Sequence, residues 1–202
     1  MAIFEQHSAD HADALMRPAQ SWKNKVGRAL WNVTWTLLCR PTPPGMHRWR
    51  CCMLRLFGAK IGKNNFIYPS ARVWAPWLLE TGDVVTLAQK TFVYNVGGVT
   101  IGHHAIVSED AFVCGATHDY QSSDFELISR PVKIAPYAWI CARAIILPGV
   151  ECGEGAVLGA GGVASRDLDP WTVYAGNPAC KRGTRNRGDR LGLSKENREQ
   201  TT

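Results

Sequence analysis

Three histidines stand inside the repetitive part of this 202-residue chain, His103, His104 and His118, and only His118 sits where the repetition stops. Imidazole is the side chain whose unperturbed charge change falls near neutrality, so a histidine at such a boundary is the first candidate for a proton acceptor. The stretch that follows it, Asp119 to Lys133, keeps no period, so the His118 ring is expected at the mouth of a loop and not in the core. Asp119, Glu109 and Asp110 are the candidates to orient that ring, and the sequence leaves the choice open. His103 and His104 lie on the repeat itself and read as solvent-facing corner residues. The seven cysteines (Cys39, Cys51, Cys52, Cys114, Cys141, Cys152, Cys180) are odd in number and contain no C-x-x-C pair. That pattern disfavours a disulfide framework and a zinc site, and fits a reducing cytoplasm.

Charge excludes more than it identifies. The net charge is +6, and much of the excess comes from Lys23 to Arg55 and from Lys181, Arg182, Arg185, Arg187 and Arg190. Without interleaved aromatics or a recognition motif, so diffuse an excess indicates anion binding or a solvated end and not a nucleic-acid partner. The amino terminus has neither a basic nor an apolar region of the secretory type. The most apolar run, Ala29 to Cys39, is about half the ~20 residues a membrane span needs, so no span is expected.

The elements that must hold His118 follow from a period of six. Aliphatic residues recur at Ile61, Ile67 and Val73, at Leu87 and Val93 with Thr81 leading, and at Ile101, Val107 and Val113. The series resumes at Ile134, Ile140, Ile146, Cys152, Leu158 and Ala164. Four residues after most of them comes a small residue such as Ala71, Ala105, Ala138 or Gly162. Holding the register takes two extra residues before Thr81 and two before Ile101, whereas Ile134 to Leu158 needs none. Three short strands per turn make a triangular prism in which every sixth side chain points inward and a small residue lets the chain bend at the corner. Fifteen inward positions give about five coils of a parallel β-helix. Each coil buries its apolar residues only by stacking on its neighbours, so the ends need covers.

Four segments result: an arm over residues 1–20, a helical cap over 21–58, the β-helix over 59–169 with its loop at 119–133, and a C-terminal segment with a basic tail over 170–202. In the cap, Val26, Leu30, Val33 and Leu37 recur at helical spacing after Ser21 and before Pro41, and a second helix carries Trp49, Met53, Leu56 and Phe57. Both helices are expected to pack on the coils. The Trp31 and Trp35 face is the alternative site for a membrane-surface or partner contact.

Certain stretches carry a further signal: Leu56-Phe57-Gly58-Ala59-Lys60-Ile61-Gly62, Ile67-Tyr68-Pro69-Ser70-Ala71, Trp74-Ala75-Pro76, Tyr94-Asn95-Val96, Thr117-His118-Asp119-Tyr120 and Ala175-Gly176-Asn177-Pro178. In these, and from about Ser21 to Arg182, the chain resembles the hexapeptide-repeat O-acetyltransferases. Within them it is most similar to the colanic acid biosynthesis group, with the maltose, galactoside and nodulation-factor enzymes as cousins. The resemblance implies a left-handed coil, a homotrimer with sites between subunits, acetyl-CoA as donor, a sugar or exopolysaccharide precursor as acceptor, and no required metal. It implies that His118 removes the proton from the acceptor hydroxyl as its oxygen attacks the thioester, without an acyl-enzyme. A neutral imidazole is needed, so activity should fall as the ring protonates.

The same resemblance places a backbone N–H near Ala142 on the thioester oxygen, Trp139 on the wall of the acceptor pocket, and Ala160, Gly161 and Ser165 along the cofactor groove. Lys181 and Arg182 would face the phosphates. Asn95 is the position chosen for a polar contact to the acceptor, against a structural asparagine ladder. Two departures from the family stand out: Cys152 in place of an inward aliphatic residue, and Gly161-Gly162-Val163 in place of a bulkier corner. Two other functions compete. A γ-class carbonic anhydrase shares the fold but needs three zinc-binding histidines, two of them five residues apart, and position 123 here is Ser123. A non-catalytic scaffold has no use for a loop that interrupts its core.

Overall fold

The computed structural model describes residues 21–186, so the arm expected over residues 1–20 and the end of the basic tail lie outside the described residues. Strands of two to five residues, broken by tight corners, wind into three parallel sheets. The first face stacks Lys60–Ile61, Leu79–Thr81, Val99–Ile101, Val132–Ile134 and Glu151–Cys152. The second stacks Phe66–Ile67, Thr86–Leu87, Ile106–Val107, Trp139–Ile140, Val157–Leu158 and Thr172–Ala175, with Cys180–Thr184 returning antiparallel at its edge. The third stacks Arg72–Val73, Phe92–Tyr94, Phe112–Cys114, Ile145–Ile146 and Val163–Ala164. The solenoid is a left-handed parallel β-helix. Five turns are complete and a sixth begins with the bridge of Leu168 to Cys152 and the strand Thr172–Ala175. The coil therefore runs past residue 169, where the C-terminal segment was expected to begin.

The six-residue register is the observed one. Ile61, Thr81, Ile101, Ile134 and Cys152 align on the first face. Ile67, Leu87, Val107, Ile140 and Leu158 align on the second, and Val73, Val93, Val113, Ile146 and Ala164 on the third. All of these are buried except Thr81, whose hydroxyl accepts from the Asn65 amide at 2.7 Å. Most of these inward residues are branched, which lets them fill a narrow interior at close packing. Cys152, 1% exposed, fits as a small apolar residue, and burial pushes its thiol up to about 12.

The first end is covered by two helices. Helix α1 (Trp22–Thr34) is capped by the Ser21 hydroxyl, which accepts from the Asn24 N–H, and continues into a wide π turn, Trp35–Cys39. That turn keeps Cys39 on the same side as Trp31 and Trp35, so all three are buried. Trp31 donates to the Val73 carbonyl at 2.8 Å and packs on Trp35 and Phe57. The face proposed for an outside contact is thus the inward one, while Val26, Leu30, Val33 and Leu37 point to solvent. The tryptophans are larger, and the Trp31 N–H finds a coil carbonyl, so they win the buried side even though the Trp35 indole N–H is buried without a partner. Helix α2 (His47–Leu56) sends Arg50 inward, where its guanidinium donates to the carbonyls of Ile67, Pro43 and Pro44 and to the Thr42 hydroxyl. Those oxygens tie the Thr42–Pro44 turn to the first coil, and burial lowers the Arg50 pKa.

Candidate active site

The departures from six-residue spacing fall on one edge of the prism, the corner between third and first faces. Val73 to Thr81 and Val93 to Ile101 each span two residues more than a regular step, and Val113 to Ile134 spans fifteen more. From Ile146 to Cys152 the corner is regular, and from Ala164 to Leu168 it is two residues shorter than a regular step. The first extra segment forms a short 3-10 turn, Pro76–Leu78, against which α1 rests, with Arg28 4.2 Å over the Trp74 ring. The second, Asn95 to Gly98, is the seat of the third.

The third segment is a hairpin. Ala116–His118 pairs antiparallel with Leu127–Ser129, in register His118 with Leu127, so Val132 and Lys133 already belong to the first face and not to the loop. Gly115 donates to the Tyr94 carbonyl, Arg130 to the Gly115 carbonyl, and Val132 to the Gly98 carbonyl. Gly97 is required here, because a Cβ would stand 2.6 Å from the Arg130 carbonyl carbon. A small apolar cluster separate from the prism, Val96 and Ala116 with Trp74, Tyr94 and Leu127, packs the hairpin base. Asn95 is fully buried, and both ends of its amide bond to Ala75, Oδ1 accepting from N–H at 3.0 Å and Nδ2 donating to C=O at 2.7 Å. It buttresses the corner from within and is not available to an acceptor, which corrects the role expected of it.

His118 is exposed at the end of the first hairpin strand. Its Nδ1 lies 2.6 Å from the Phe125 carbonyl oxygen. A carbonyl only accepts, so Nδ1 carries a proton, and in the neutral ring it is Nε2 that keeps the lone pair. None of the three candidate carboxylates orients the ring. Asp119 is occupied in the tip, where Oδ1 accepts from the Gln121 N–H at 2.9 Å, and its own N–H donates to Glu126. Phe125 presents its carbonyl because its φ of 47° turns the chain into the left-handed region. Sequence reasoning missed Phe125, and a backbone oxygen leaves no side-chain signal to find.

The other expected site residues lie elsewhere on the prism. Ala142, Ala160 and Gly161 line the corner between second and third faces, linked by the Gly161 N–H to the Ala142 carbonyl at 3.0 Å. At Gly161, φ is 66° and an added Cβ would meet nothing, so this edge is open. Arg182 approaches it at Gly176, and Lys181 and Arg182 are exposed on the returning strand. Trp139 stands 40% exposed on the second face, its Nε1 donating to the Ser108 hydroxyl at 2.9 Å. Ser165 follows the last third-face strand and shares an edge with the hairpin, further along the axis. A single chain thus brings Ala142, Ala160, Gly161 and Arg182 to one edge and His118 to another. A cavity of about 480 Å³ lies along the first face between Thr100 and Pro170 and includes none of these residues. His103 and His104 are exposed corner residues, with His104 stacked on Tyr137 at 5.1 Å.

No family model matches the chain. A protein of Escherichia coli (strain K12) named as a colanic acid biosynthesis acetyltransferase, WcaF, is 35% identical over 156 residues, covering 77% of this chain and 86% of its own length. A hexapeptide-repeat-containing acetyltransferase of Vibrio cholerae O1 biovar eltor, solved with acetyl coenzyme A, superposes with a TM-score of 0.73 at 21% identity over 83% of this chain and 92% of that one. A maltose O-acetyltransferase of Clostridium difficile 630 gives a TM-score of 0.71 at 23% identity, over 84% and 91% of the two chains. These are proteins of one architecture, acyltransferases built on a β-helix. The chain belongs to the hexapeptide-repeat acetyltransferase family.

Proposed function

We propose that this acyltransferase moves an acetyl group from acetyl-CoA to a hydroxyl of a sugar or exopolysaccharide precursor, with His118 as general base. The observation that carries the reading is the bond from His118 Nδ1 to the Phe125 carbonyl. With that proton held, Nε2 accepts the hydroxyl proton while the hydroxyl oxygen attacks the thioester carbon; the C–S bond then breaks, and Nε2 returns the proton to the departing sulfur so that coenzyme A leaves as the thiol. An imidazole anchored by a neutral carbonyl keeps its tautomer without a buried charge, which suits a base exposed on a hairpin.

The donor is inferred from the family and from the open edge at Ala142, Ala160 and Gly161, where short side chains let a thioester approach backbone N–H groups. Lys181 and Arg182 supply cations for its phosphates. Because His118 occupies a different edge of the same prism, the reading calls for a second subunit to bring the two edges together. A homotrimer meets that need, and Trp139 then walls the shared cleft with Ser165 at its far end. The sugar class comes from the names of the relatives. Seven free thiols, three of them buried, support a reducing cytoplasm.

The test is release of free thiol from acetyl-CoA in the presence of an acceptor glycan. His118→Ala should lower turnover about 100-fold or more. Undiminished release by that variant removes the base assignment, and no release by the wild-type chain with any glycan favours a scaffold.

A further inference from the structure

The outer side of α1 carries an apolar row that the fold does not use. Trp22, Val26, Leu30, Val33 and Leu37 follow one another at steps of three or four residues, and each is between 56% and 70% exposed. The same helix buries Trp31, Trp35 and Cys39 beneath it, so both sides of α1 are apolar and only one is covered. Isolated exposed apolar residues are ordinary, but a row running the length of a helix marks a surface that meets something.

The charges around the row say what it meets. From Ser21 through Leu79 there is no Asp or Glu. Lys23, Lys25, Arg40, Arg48 and Arg55 are exposed cations of the same two-helix cap. At about 100° per residue, Lys23 and Lys25 fall on opposite flanks of the row. An apolar strip bordered by lysines, on a region with no negative charge, is complementary to an anionic lipid surface: apolar side chains enter the acyl boundary and the ammonium groups meet phosphates. A protein partner would need an acidic rim around an apolar groove. Among the described residues no helix is long and apolar enough to cross a membrane, so the contact is one of lying on the surface.

We propose that α1 is a membrane-surface helix that docks the enzyme, through Trp22, Val26, Leu30, Val33 and Leu37, on a bilayer containing anionic phospholipid. The helix is fastened to the corner that bears the hairpin, through Arg28 on Trp74 and Trp74 edge-on to Tyr94 at 5.6 Å. That corner lies two coils from His118, about 10 Å along the axis at ordinary strand spacing. Docking through α1 therefore holds the hairpin close to the bilayer.

Flotation of the purified full-length chain with vesicles tests this. Binding is expected to vesicles of phosphatidylcholine with phosphatidylglycerol, weakening as salt is raised, and to be much weaker with phosphatidylcholine alone. The double variant Leu30→Glu with Val33→Glu should fold with an unchanged far-ultraviolet spectrum and fail to float. Lys23→Gln and Lys25→Gln should each lower partitioning about fivefold. Thiol release in solution without lipid should be the same for all variants, which separates this proposal from the base assignment. Failure of the wild-type chain to float with the anionic vesicles overturns it, as does equal flotation by the double variant. A change of particle mass in the double variant also overturns it, by showing that the row joins copies of the chain.

Discussion

The stretch from Ile134 to Ala164 and the corner that precedes it obey different rules. In the first, every step takes six residues and every inward side chain is buried. At the third-to-first corner of the earlier turns, two, two and then fifteen extra residues have no axis to fill and pack on one another instead. The regular stretch holds the shape, and the irregular corner carries the histidine. In a solenoid the period belongs to the core, so a departure from it is free to do something else provided it is anchored. Its anchors lie one turn earlier, at Asn95, Gly97 and Gly98.

Substitutions on the two sides of this divide should therefore fail differently. Ile140 is fully buried midway along the prism, and Ile140→Ala should cost about 2–5 kcal/mol of stability, read as a lower denaturant midpoint. The activity of the molecules still folded should change little. A selective loss of turnover at full stability would mean that the coil and the site are not separable. Asn95→Ala removes the partner of the buried Ala75 N–H and C=O and should cost about 1–3 kcal/mol. Here turnover should fall as well, because the hairpin stands on the turn that Asn95 braces. Asn95→Asp, which keeps the acceptor for the Ala75 N–H but offers no donor to its C=O, should not rescue it.

Gly97→Ala should reverse the ratio of effects. Its Cβ would press on the Arg130 backbone at 2.6–2.8 Å, so the hairpin base must move while the prism need not. If His118 is the base proposed above, its displacement by a fraction of an ångström to an ångström should lower turnover about ten- to a hundredfold with a smaller change in melting temperature. Gly161→Ala serves as the contrast, with backbone strain at φ 66° but open space around the new methyl. If Gly97→Ala melts the protein and leaves turnover per folded molecule intact, the hairpin is not seated as described.

The same divide explains what the sequence disclosed. The prism was legible because its period is enforced by packing, and the inward positions from Ile134 to Ala164 can be placed without any adjustment. His118 was legible because it ends a run. The Phe125 carbonyl was not, since any residue type offers one and only a left-handed φ aims it. Asn95 misled for a physical reason: an amide suits a ligand and a buried turn equally well, and only burial decides. The helix faces were exchanged because spacing gives two apolar sides of α1 and does not say which the coil will cover.

Two thiols give the finest probe of the contrast. Cys152 replaces an aliphatic residue inside the regular stretch, and burial pushes it up to about 12; Cys114 sits partly covered at the hairpin corner, where burial raises it too, while its Sγ donates to the Ala116 carbonyl at 3.0 Å. An unfolded chain loses a cysteine proton near pH 8.5. The folded chain holds the Cys152 proton until about 12, so its contribution to stability is complete below about 8.5 and is lost as pH rises from there toward 12. Cys152→Val should leave stability at pH 7 within about 1.5 kcal/mol and make its alkaline decline shallower. Iodoacetamide should modify Cys114 before Cys152 in the native protein, since one lies on a corner that can open without unwinding the coil and the other does not. Equal rates at the two would mean that corner and coil open together, and that the irregular edge is as cooperative as the repeat it interrupts.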